Sequence, residues 1–67
     1  MAVARVTEIT SSSKKSFDDA LKGGIDRATK TLQNVTGAWL ASQEVVIDDG
    51  KVTEYRVRMK VTFILKG

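Results

Sequence analysis

The sequence predicts an α+β fold in the order strand, helix, strand, strand, with a three-stranded antiparallel sheet wrapped on one helix. Three observations predict it. Within residues 51–65 the odd positions Tyr55, Val57, Met59, Val61, Phe63 and Leu65 are apolar, while Glu54, Arg56, Arg58, Lys60 and Thr62 alternate with them. That period of two marks a strand with one buried face. From Phe17 onward, Ala20, Leu21, Gly24, Ile25, Ala28 and Leu32 recur at helical spacing and form one stripe. Asp48-Asp49-Gly50 stands between two β-rich runs, and Asp-Gly accepts the positive φ angles that tight hairpin turns require.

Residues 2–9 are rich in Val, Thr and Ile and read as the first strand. The run Ser11-Ser12-Ser13 then offers helix caps, because a serine hydroxyl accepts a hydrogen bond from an unpaired backbone N–H of the first turn. Ser13 is the preferred cap. Asp18 and Asp19 follow, where the helix dipole favours negative charge. Gly23 and Gly24 each weaken a helix interior by about 1 kcal/mol relative to Ala, and close packing of the helix on the sheet is the reason to expect them there. The helix is expected to end near Gln33 or Asn34.

Residues 35–47 read as the second strand. Strict alternation places Ala38, Leu40, Ser42 and Val46 on one face, and Gly37, Trp39, Ala41, Gln43, Val45 and Ile47 on the other. The apolar face of the last strand must cover the helix stripe. Trp39 then lies beside the charged row on the opposite face, which a lone subunit leaves open to water.

Composition narrows the functions. The chain has 67 residues, no Cys and no His, and a formal net charge of +3. It accommodates a single domain, residues 1–67. Without Cys or His there is no disulfide, no thiolate nucleophile and no imidazole base or ligand. No activated nucleophile or acid–base pair is visible, so an enzyme is not expected. A chain this short buries only roughly 60% of its unfolded surface, which makes self-association the expected source of further burial. The opening residues lack the apolar core of a signal peptide, and no apolar run is long enough to span a membrane. A cytoplasmic protein without a membrane partner is expected.

The order and length of several short motifs resemble the dodecin family along nearly the whole chain. They are the opening strand, Ser16-Phe17, Ile25-Asp26-Arg27-Ala28, Lys30-Thr31-Leu32, Asn34-Val35, Asp49-Gly50-Lys51-Val52, Glu54-Tyr55 and Lys60-Val61-Thr62-Phe63. The resemblance implies β-α-β-β subunits assembled into a hollow homododecamer. It also implies a flavin-storage role without turnover, with riboflavin or FMN held between symmetry-related Trp side chains. In flavin-binding members a Trp opens the second strand and a Gln follows the Tyr of the third. Here those positions are Gly37 and Arg56, and a Trp stands two residues on, at Trp39. The Gly-Ala-Trp and Tyr-Arg pattern resembles a second branch of the family, and some family members that lack the Trp are associated with calcium, so the resemblance leaves a non-flavin shell with a structural or calcium-binding role as the alternative function.

Five residues are therefore candidates for ligand binding: Trp39, Arg56, Gly37, Gln43 and Arg58. Trp39 offers a face for stacking a small planar ligand, with subunit packing as the alternative. Arg56 and Arg58, with Lys60, offer planar or point charges to a phosphate or carboxylate, with a solvated face or intersubunit ion pairs to Glu44, Glu54 or Asp48 as the alternative. Gln43 is placed by alternation on the Trp39 face. Asp48 and Asp49 supply too few oxygens for calcium, which takes six to eight, and read as turn residues. No nucleic-acid partner is expected, because sheet-face RNA binders stack bases on two or three aromatics and this face offers one.

Overall fold

A computed structural model describes residues 3–65. It consists of β1 (Val3–Ser13), α1 (Phe17–Thr31), β2 (Val35–Asp48) and β3 (Lys51–Leu65). The predicted α+β architecture is borne out. The sheet order is β1-β3-β2, and β3 pairs antiparallel with both neighbours. The last strand thus inserts between the first two, and α1 carries the chain across it, in a split β-α-β arrangement.

The period-two pattern of β3 decides the core. Val57, Met59 and Val61 are fully buried beneath Ala20 and Ala28 of α1, with Ile9, Phe17, Leu21, Ile25, Leu32 and Val35 packed around them. Burying each large side chain stabilises by roughly 1.5–3 kcal/mol, so three of them make a small core. The ring of Phe17 meets that of Tyr55 edge-on at 5.2 Å, a favoured aromatic geometry.

The first strand runs past the predicted limit at residue 9, and its predicted first residue, Ala2, lies outside the described residues. Ser11, Ser12 and Ser13 belong to this strand rather than to a helix cap. The cap is Ser16, whose hydroxyl accepts from the Asp19 N–H at 3.0 Å. Ser13 instead braces the turn: its hydroxyl accepts from the Lys15 N–H and donates to the Asp19 carboxylate. The reason is pairing. Each serine of the run faces a β3 residue, down to Ser13 opposite Tyr55. The helix ends at Thr31, before the predicted limit, because Leu32 adopts extended dihedrals and turns its side chain onto the core.

The hairpin is as predicted. Asp49 and Gly50 both have positive φ, 52° and 73°, which is the requirement of a type I′ turn.

α1 packs over β1 and β3, leaving β2 largely uncovered. Leu40 and Val45 lie opposite Met59 and Tyr55, on the helix side of the sheet, yet both are exposed. The radius of gyration is 13.8 Å and the long axis 51 Å, whereas a compact chain of this length has a radius near 11 Å. The chain is therefore elongated and leaves an apolar strand face uncovered.

Candidate ligand-binding face

The sheet face turned away from α1 collects the even positions of β3. Residues directly opposite in an antiparallel pair share a face, so the register assigns the neighbours of each cation. Lys60 lies between Glu8 of β1 and Trp39 of β2. Arg58 lies between Thr10 and Ser42. Arg56 lies between Ser12 and Glu44. Thr62 lies between Val6 and Gly37. Successive rows are about 7 Å apart along the strands.

Trp39 is half exposed on this face. The Lys60 ammonium sits 5.8 Å from the centre of its ring, within range of a cation–π attraction worth about 0.5–1 kcal/mol at an exposed site. That contact sets an ammonium over one face of the indole, with the Glu8 carboxylate across the sheet in the same row.

Arg56 is partly committed. Its Nε donates to the Ser12 hydroxyl at 3.3 Å, and its Nη1 lies 3.9 Å from the Glu44 carboxylate. An exposed pair of this kind contributes at most about 1 kcal/mol, but it removes net charge from that end of the face. Arg58 is exposed and has no salt bridge among the described residues.

Gly37 falls on the same face, one row beyond Trp39, and a Cβ placed there meets nothing within 4 Å. It leaves open space where a larger side chain would stand.

Gln43 is a correction. Alternation placed it beside Trp39, but it lies opposite Val57, on the helix side. Leu40 pairs with Met59 and Ser42 with Arg58, so Ala41 is an extra residue, a β-bulge. One inserted residue reverses which face every later side chain occupies. The same bulge moves Ser42 onto the Trp39 face. Sequence reasoning therefore missed Ser42, and it missed Thr10 and Ser12 by ending the first strand early.

Among the described residues no three acidic side chains cluster as a metal site. Asp48 and Asp49 stand at the hairpin, so calcium at this turn requires oxygens from a further copy.

Comparison with known proteins agrees with this architecture. The dodecin family model matches residues 3–66. The chain is a member of the dodecin family. The dodecin from Streptomyces davaonensis is 33% identical, with a TM-score of 0.93 over 98% of this chain and 97% of that one. An arginine-to-alanine variant of the Thermus thermophilus dodecin is 25% identical, with a TM-score of 0.93 over the whole of both chains. A calcium dodecin from Mycobacterium tuberculosis, described as calcium-chelating with a novel calcium-binding site, has a TM-score of 0.85 at 23% identity, over 96% of this chain and 91% of that one. Curated protein sequences give no match. Among the described residues no helix is long and apolar enough to cross a membrane.

Proposed function

We propose that this dodecin assembles with copies of itself into a hollow homododecamer and sequesters a flavin, FMN or riboflavin, in clefts between subunits. It acts as a binding and storage protein without turnover. The observation that carries the reading is the half-exposed Trp39, held by Lys60 on an open sheet face whose β3 row is cationic. A flat, electron-poor ring stacks on an indole, and an anionic substituent is drawn to the flanking cations. Gly37 supports the reading by leaving room beside Trp39. Self-assembly is supported by the uncovered apolar face of β2, by the small core and by the family's folds.

The test is a fluorescence titration of FMN and riboflavin with ligand-stripped protein. Stacking on Trp39 quenches the flavin, with saturation near roughly one flavin per subunit if each indole contributes one face. Unquenched flavin at micromolar protein overturns the reading.

A further inference from the structure

The three cations of β3 on the Trp39 face do not have equal surroundings. Arg56 is drawn toward Glu44 and Ser12. Lys60 is placed over the Trp39 ring, with Glu8 as its other cross-strand neighbour. Arg58 alone has neutral residues on both sides, Thr10 and Ser42, and both carry hydroxyls. It also has a like charge one row away in each direction along β3. Arg58 is thus the one of the three cations with no ion pair or ring contact among the described residues, the nearest carboxylates across the sheet, Glu8 and Glu44, lying one row away on the neighbouring strands.

We infer that Arg58, with Thr10 and Ser42, forms an anion subsite that takes the phosphate monoester of a ligand whose ring stacks on Trp39. A guanidinium presents two parallel N–H donors to phosphate oxygens, and flanking hydroxyls can donate to the same group. The subsite lies one row, about 7 Å, from the Trp39 row, which a ribityl chain spans. The identity of the stacked ring rests on the flavin reading above; the anion subsite does not. Among the three cations the assignment favours Arg58 over Arg56, because a cation paired to a carboxylate has less to offer a second anion.

Two titrations separate the claims. In the first, inorganic phosphate is added to the assembled protein at constant ionic strength, and the emission of Trp39, the only Trp in the chain, is followed. The wild type is expected to respond saturably, Arg58→Gln to lose the response, and Lys51→Gln, in the distant hairpin, to keep it. In the second, the affinities for FMN and riboflavin are compared. FMN is expected to bind about tenfold tighter, as one charged hydrogen-bonded contact permits, and Arg58→Gln to erase that ratio without weakening riboflavin. An Arg58-dependent phosphate response without flavin binding sinks the flavin reading and keeps the subsite. Equal affinity for the two flavins with no phosphate response sinks the subsite and keeps the flavin reading. Loss of either effect in Arg56→Gln but not in Arg58→Gln overturns the assignment, and failure of both titrations overturns both claims.

Discussion

Gly24 lies so close to Met59 that a Cβ added to it stands 2.8 Å from the Met59 Cε and 3.0 Å from the Ser11 Cβ. The close packing anticipated from the two helical glycines thus holds at one of them. Gly23, its neighbour, meets nothing within 4 Å.

This difference sets opposite signs for the same substitution. Gly→Ala in a helix interior gains about 1 kcal/mol from backbone entropy. At Gly23 that gain is unopposed, so Gly23→Ala is expected to stabilise by about 0.5–1 kcal/mol. At Gly24 the terminal methyl of Met59 can swing aside, but the Ser11 Cβ moves only with β1. Overpacking of this kind costs about 1–3 kcal/mol, and Gly24→Ala is expected to destabilise by about 1 kcal/mol net. Denaturant unfolding at equal protein concentration checks both. Stabilisation by Gly24→Ala contradicts the close approach.

The start of α1 gives a second test. Ser16 accepts the Asp19 N–H, whereas Ser13 holds the preceding turn. Removing an N-cap hydroxyl costs about 1 kcal/mol. Ser16→Ala is expected to show that loss in melting temperature and denaturant midpoint, and Ser13→Ala roughly half of it, since its partners are exposed groups that water also satisfies. A larger effect at Ser13 restores it as the cap.

The uncovered side of β2 leads to a third. Leu40 and Val45 face the helix side of the sheet but extend past the helix. Burying such side chains against another subunit stabilises by roughly 1.5–3 kcal/mol each, repeated at every interface of a symmetric assembly. Val45→Lys and Leu40→Lys are therefore expected to shift the protein to small species in light scattering, with a lower melting temperature. An unchanged particle size for both variants excludes this face from the interface.

The sequence pattern revealed the helix stripe, the long amphipathic β3 and the Asp49-Gly50 turn, because each is a local signal of period or dihedral preference. It did not reveal the Ala41 bulge, which arises from the pairing of β2 with β3 and leaves no mark on either strand alone. That bulge took Gln43 off the Trp39 face and brought Ser42 onto it. The extension of β1 through Ser13 was hidden for a related reason: serines read as caps until a partner strand occupies their backbone. Trp39 beside a cationic row was legible, but the unequal surroundings of Arg56 and Arg58 depend on which residues lie across the sheet.

The last expectation concerns Trp39 itself. If the indole is a stacking platform, its aromatic face matters more than its size or its N–H. Trp39→Phe is then expected to retain flavin quenching with affinity weakened less than about tenfold, since Phe keeps an aromatic face and a whole stack contributes only about 0.5–1.5 kcal/mol beyond the area it buries. Trp39→Ala is expected to abolish quenching while the fold persists, because the side chain is half exposed and outside the core. Lys60→Met removes the ammonium over the ring and is expected to change the affinities for FMN and riboflavin by similar factors, since the FMN preference is assigned to Arg58. Circular dichroism confirms that each variant folds, and flavin fluorescence reads the binding. If Trp39→Ala binds flavin as the wild type does, the stacking site lies elsewhere and Trp39 is left with a packing role between subunits.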